Sequence, residues 1–331
     1  MSGTHEHWPI NRTTRARLLH RRAFVTGGVA GLAALADSKR PSAAAVPATL
    51  AEPVAIGRGK LLVIEEGPLG RIVAVDSATY ATKELKPTDV FLAGSYCATA
   101  AQGPPFGRGV KAIIALDAGI GKDEAGITAL ATGEQHGVPV ASVATLSAEV
   151  ANGRSVAWGT ISRANAPARA LGVAPGQIAY DAAVRMLNAP LGKPIEVAAT
   201  WDEHPHVVEE YPRGKIWAST SSFVFKRKMP TDVICIAANS GRVFAESLIE
   251  IGPRGGIAND SGMGKNNSGI AGLKILAEAG IAACSVAAMS ARIGDGMSTW
   301  NDGVISAANA IAMERGVKVG ITAKEAARLM L

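Results

Sequence analysis

The sequence predicts an internally duplicated α/β fold, with two tandem βαβ-type three-layer units and mostly parallel sheets. Three observations predict it. The first is that the body is written twice. Thr88-Asp89-Val90 matches Thr231-Asp232-Val233, and Asp117-Ala118-Gly119-Ile120-Gly121-Lys122 matches Asp260-Ser261-Gly262-Met263-Gly264-Lys265, each pair 143 residues apart. The offset holds at Ser147-Ala148 and Ser290-Ala291. One inserted residue near Trp300 makes it 144 to the end, where Met186-Leu187 meets Met330-Leu331. Such a period exceeds the roughly 20–50 residues of a solenoid repeat and is the size of a small domain. Second, short apolar runs alternate with helical stretches within each copy, the order of βαβ units. Third, 48% of residues are apolar and 19% charged, enough to cover a sheet on both faces.

The first copy is expected over 61–187 and the second over 215–331, joined by a Pro-, Glu- and His-rich linker or short ribbon at 188–214. Each copy opens on an apolar strand, Asp89–Ala93 or Asp232–Ala237, followed by a helix from Ser95 or Asn239. Val110–Ala115 is a second buried strand. The Asp117–Lys122 loop then turns into a helix expected over Asp123–His136, and Gly137–Val143 is a third strand after a glycine stop. A loop around Asn152-Gly153 precedes two helical patterns at 159–171 and 177–187.

Five of the six formal net positive charges belong to the leader. Residues 1–50 hold seven basic and two acidic side chains, which leaves 27 basic and 26 acidic in the body. A nearly neutral body gives no electrostatic footprint for nucleic acid. Aromatics at 5% also argue against a base-stacking platform. Cys97, Cys235 and Cys284 are far apart with no CxxC pair, so the spacing offers no metal site or redox pair, and buried free thiols are expected.

Within residues 1–48, Arg21-Arg22-Ala23-Phe24 precedes a short Gly/Ala-rich apolar stretch ending near Ala36. Small residues at 42–48 then offer cleavage after Ala45 or Ala48. This order resembles a twin-arginine export signal, which implies an exported protein that crosses the membrane folded. A basic tail on a cytoplasmic protein is the alternative. No apolar run reaches the roughly 18 residues of a transmembrane helix.

The loop Asp117-x-Gly119-x-Gly121-Lys122 and its copy Asp260-x-Gly262-x-Gly264-Lys265 are the strongest chemical signal. Glycines let a backbone approach a ligand, and a lysine beside a helix start favours an anion. The loop is not a Walker motif, because Asp123 or Asn266 follows the lysine. Nor is it a dinucleotide fingerprint, since the third glycine is misplaced. Gly121, Lys122, Gly264 and Lys265 are therefore the expected anion-binding residues, with Asp117 and Asp260 as acid/base or metal-ligand candidates.

After the third strand, Ser147–Ser155 matches Ser290–Ser298. The copies diverge in charge there: Glu149 faces Arg292 and Asn152 faces Asp295. Divergence at a carboxyl-end loop is expected of an asymmetric site, or of drift on a solvated surface. Asp295, between two glycines, is a candidate base or a turn residue, Arg292 an anion clamp, and Ser290 a substrate contact. Ser162/Ser306 and Asn165/Asn309 are three apart. Asn309 either caps a helix or lines the lysine-loop cleft. His204-Pro205-His206 is a weak metal signal without a third ligand, so no metal site is expected and no cofactor is identified. No G-x-S-x-G elbow occurs, although Gly94–Cys97 is a turn able to present a nucleophile.

Together these features predict an exported enzyme acting on a small carboxylate-type anion, with hydrolase or lyase chemistry favoured and the site where the copies meet. A homo-oligomer is compatible. The alternatives are a two-lobed solute-binding protein and a structural subunit of a larger assembly.

Overall fold

The computed structural model describes residues 55–80, 83–197 and 204–331. The expected export signal at 1–48 lies outside them. The first sheet holds β1 (Leu62–Gly67), β2 (Gly70–Val75), β3 (Asp89–Tyr96), β4 (Ala112–Leu116), β5 (Val140–Val143) and β6 (Ile161–Ala164) in sequential order. The second holds β7 (His206–Tyr211), β8 (Gly214–Ser219), β9 (Val233–Asn239), β10 (Gly255–Asn259), β11 (Ala282–Val286) and β12 (Ile305–Ala308) in the same order. In each, the middle four strands are parallel and the two edge strands antiparallel. The fold is the duplicated, mostly parallel α/β arrangement that the repeat predicts.

Period-two alternation sorts each strand between two cores. Ile72, Val90, Leu92, Ile114 and Val143 face α3 (Gly153–Ala157), α4 (Ala166–Ala170) and α5 (Ala179–Met186). Val73, Phe91, Ile113 and Val140 face α1 (Thr99–Arg108) and α2 (Ala129–Gln135). The second copy repeats this. One face of its sheet packs on α6 (Arg242–Ile251) and α7 (Ala271–Glu278), the other on α8 (Gly296–Asp302), α9 (Ala310–Glu314) and α10 (Ala323–Met330). Cover on both faces is why β4 reads as an unbroken apolar run.

Three elements differ from expectation. Within the expected helix 159–171, Ile161–Ala164 is strand β6, and the helix begins only at Ala166, capped by Asn165. The expected helix Asp123–His136 is replaced by a 3-10 segment, Lys122–Ile127, and then α2. The expected linker contains β7, which pairs with β8 as β1 pairs with β2. Both hairpins carry a register shift at the same place, Val63/Glu65 and Val207/Glu209. The repeat therefore begins with the hairpin, here at an offset of 144, seen in the matched pairings Ile72↔Val90 and Ile216↔Val233.

Candidate functional site

The glycine–lysine loops are built from left-handed backbone. Ala118, Ile120, Asp123 and Glu124 have φ of 50°, 64°, 53° and 55°, and Ser261, Met263, Asn266 and Asn267 have 51°, 70°, 56° and 56°. Each such non-glycine residue costs about 1–2 kcal/mol, so the surroundings must fix the loop. They do so reciprocally. A Cβ on Gly119 would lie 3.0 Å from Gly262 Cα, and one on Gly262 would lie 2.9 Å from Gly119 Cα. Lys122 N–H donates to Ala288 carbonyl at 2.9 Å, and Lys265 N–H donates to Ala148 carbonyl at 3.2 Å. The glycine contact is made both ways and marks a two-fold relation between the copies, whereas the two lysine N–H bonds differ, since Ala288 corresponds to Thr145 and Ala148 to Ala291.

These contacts occupy the groups expected to meet an anion. The loop N–H groups of Lys122 and Lys265 face the other copy, and Gly121 and Gly264 serve the turn. The Lys122 ammonium pairs with Asp302 at 2.9 Å, while Lys265 is exposed. Hydrogen bonds from Ser298 and Lys122 hold the Asp302 carboxyl below its ordinary range. Asp117 and Asp260 are loop anchors. Asp117 Oδ1 accepts Gly119 N–H, Thr145 N–H and the Thr145 hydroxyl; Asp260 Oδ1 accepts Gly262 N–H and Ala288 N–H. Neither is placed for acid/base work, because both sit buried in these bonds.

Ser290 and Asn309 are likewise internal. Ser290 Oγ donates to Ala287 carbonyl and accepts Val304 N–H. Asn309 accepts Ala283 and Ala312 N–H and donates to Leu273 and Ile281 carbonyls, which exhausts its amide. Asn165 repeats that set of four. Cys97 is fully buried, and burial raises its thiol pKa far above the ordinary value. All three cysteines are buried and free, and the expected turn at Gly94–Cys97 is the end of β3, so Cys97 is not presented as a nucleophile.

Two expected residues do meet. Arg292 and Asp295 line a cavity of about 330 Å³ between the copies, with Thr99, Thr128, Thr220, His204 and His206. Asp295 caps α8 through Oδ1, which accepts Ser298 N–H at 3.0 Å. Its carboxylate is exposed, and its second oxygen accepts no hydrogen bond among the described residues. Arg292 pairs with Asp123 at 2.9 Å across the interface. The histidines arrive at this wall through β7, the strand hidden in the expected linker. Among the described residues no cluster of three His, Cys, Asp or Glu is placed to hold a metal.

On the opposite side of the two-fold the space is mostly filled, leaving a cavity of about 50 Å³ lined by Asp76, Ala151 and Val243 among others. Thr99 corresponds to Arg242 and Thr220 to Asp76. Those two side chains join at 2.8 Å, with the Asp76 carboxylate fully buried. Asp76 also accepts N–H groups from Ile56, Gly57 and Gly153. Trimming both members to threonine opens one half of an otherwise two-fold interface. The charge divergence at 149/292 has a second role. Glu149 bonds Asn266 at 3.1 Å, the same contact that Arg292 makes with Asp123. Each loop residue changed together with its partner.

Comparison of the chain with protein-family models, with curated proteins and with solved structures returned no match.

Proposed function

We propose that the protein is an exported enzyme that acts on a small carboxylate-type anion in the cavity between its two copies, by hydrolase or lyase chemistry. The observation that carries this reading is one-sidedness. The interface is built twice, and only the half with threonines at 99 and 220 has a cavity lined by a guanidinium, a carboxylate and two imidazoles. Binding sites of small ligands are concave with a few convergent polar groups. In this reading Arg292 draws the ligand's carboxylate. Asp295 takes or returns a proton through its unbonded oxygen, with His204 and His206 as relays. The lysine loops hold the copies together and shape the wall. Export rests on the order of features in the leader, and a homo-oligomer remains part of the proposal.

The solute-binding alternative draws less support from the fold. A two-lobed binder opens by parting its lobes, whereas here the copies meet backbone to backbone at Gly119 and Gly262.

The test is a thermal-shift and turnover screen of the protein with small carboxylates and their esters and amides. A ligand at 100 times its Kd stabilises by about 2.7 kcal/mol. Arg292→Ala should remove the shift, and Asp295→Asn should weaken it and abolish turnover. Binding that survives Arg292→Ala, Asp295→Asn and Thr99→Arg alike would place the ligand elsewhere.

A further inference from the structure

We infer that the ligand of this cavity is a zwitterion, a carboxylate and a cationic nitrogen a few bonds apart, as in an amino-carboxylate. This rests on the reading that the cavity is the ligand site, and the closed half supplies the template. There the Asp76 carboxylate accepts Gly153 N–H at 3.2 Å and the Arg242 guanidinium at 2.8 Å. The same Arg242 nitrogen reaches the Ala151 carbonyl at 3.4 Å. Closed in this way, the space holds one negative and one positive group side by side, with a backbone N–H for the first and a backbone carbonyl for the second.

In the open half the backbone partners persist and the two charged side chains are gone. Gly296 stands for Gly153 and Gly294 for Ala151, and both line the cavity. The glycines at 153 and 296 are set alike: a Cβ would meet the Val75 carbonyl oxygen at 2.2 Å and the Ser219 carbonyl oxygen at 2.4 Å. Thr220 and Thr99 replace Asp76 and Arg242. A N–H and a carbonyl that serve an ion pair in one half thus face open space in the other. Three more replacements accompany this. Asn152 becomes Asp295, Glu149 becomes Arg292 and Arg154 becomes Met297, so the open half carries one charge of each sign on the cavity wall, with the carboxylate and the guanidinium at exchanged places.

A bound amino-carboxylate completes both sets. Its carboxylate takes the place of the Asp76 carboxylate, near Gly296 N–H, Thr220 and Arg292. Its nitrogen takes the place of the Arg242 guanidinium, near the Gly294 carbonyl and Asp295. A dianion would set its second charge against Asp295. A simple amine would leave Gly296 N–H without an acceptor. Charge-assisted hydrogen bonds in a partly desolvated site are about twice as strong as neutral ones, which makes the discrimination large enough to measure.

Calorimetric titration of the full chain with glycine, β-alanine and 4-aminobutyrate tests this. Acetate, propionate and butyrate serve as nitrogen-free partners, and succinate as a dianion. At least one amino-carboxylate should bind at one site per chain, tenfold or more tighter than its nitrogen-free partner and than succinate. Asp295→Asn should erase that tenfold preference. Thr99→Arg with Thr220→Asp, which rebuilds the plug, should abolish binding. If that pair does not fold, Asp295→Asn carries the test alone. A plain carboxylate or succinate binding as tightly as the amino-carboxylates would overturn the zwitterion and leave the small-carboxylate reading standing. Unchanged preference in Asp295→Asn would do the same. Absence of binding by all seven compounds would overturn both.

Discussion

The two halves of the interface share a backbone plan and differ in what fills it. On one side Arg242 and Asp76 join and the space is mostly filled; on the other Thr99 and Thr220 leave a cavity of about 330 Å³. A buried ion pair is weak evidence for stability, because desolvation offsets most of its attraction. Losing both members together is cheap, whereas losing one is not. The comparison shows how a duplicated fold can hold an ion pair in one half and a cavity in the other by a paired difference, on the same framing strands.

The largest expected effect breaks the closed half. Asp76→Ala should cost about 3 kcal/mol, because it strands the backbone N–H donors of Ile56, Gly57 and Gly153 that the buried carboxylate now satisfies, although Arg242 keeps Glu246. Thr220→Ala, its counterpart, should cost under about 1 kcal/mol. Urea unfolding of the two variants measures the difference, and equal costs would mean that Asp76 does not close its half as described.

Next come the glycines that the halves share. Gly119→Ala and Gly262→Ala should each cost about 2 kcal/mol or more, from the left-handed φ and from forcing two backbones apart. Their effects should be similar. A silent substitution at either position would show that the contact is not reciprocal.

The hairpin lashes offer a smaller, pH-dependent contrast. Glu209 bonds Arg328, while its counterpart Glu65 bonds the Tyr180 hydroxyl at 2.5 Å. The Arg328 bond holds the Glu209 carboxyl below its usual range. The Glu65 bond first, and burial second, push Tyr180 up to about 12. A lowered carboxyl pKa adds stability above the unfolded value near 4.3, lost as pH falls through the folded one. Arg328→Ala should therefore cost about 0.5–1 kcal/mol at pH 7, a modest figure because both side chains meet solvent, and nothing near pH 2. Tyr180→Phe should show no such acid dependence. Thermal unfolding across pH compares them, and a constant Arg328→Ala penalty down to pH 2 would exclude the ion pair as its source.

The smallest effect sharpens the loop comparison. Glu149→Arg with Asn266→Asp copies the Arg292–Asp123 pair into the other half. The double variant should lie within about 0.5 kcal/mol of the parent, since exposed pairs contribute little. Either single change alone should be worse than the pair.

Much of the fold was legible because strands buried on both faces read as apolar runs and the repeat fixed their order twice. The stretch holding β7 read as a linker or short ribbon rather than as part of the repeat, although Glu65-Glu66-x-Pro68-x-Gly70 recurs as Glu209-Glu210-x-Pro212-x-Gly214, because a one-residue deletion before Thr231 moves the offset to 144. That slip also left His204 and His206 in a linker. At the site, Arg292 and Asp295 were found from divergence between the copies. The lysine loops misled for a physical reason: glycine permits close approach without saying to what, and here the neighbour is the other loop. Asp76, Thr99, Thr220 and Arg242 carry no motif. Only the pairing of β2 with β3 and of β8 with β9 aligns them.

The reciprocity of the left-handed loops has an evolutionary corollary. A single ancestral unit would leave its loop without the backbone packing and the cross-copy N–H acceptor that hold it here, and a twin would supply both, so a homodimer is the form in which such a unit is complete. In that homodimer one gene writes both cavities, and any residue that opens or seals one does the same to the other. Joining two copies in one chain lifts that constraint, and Arg242 and Thr99 record the freedom it gave.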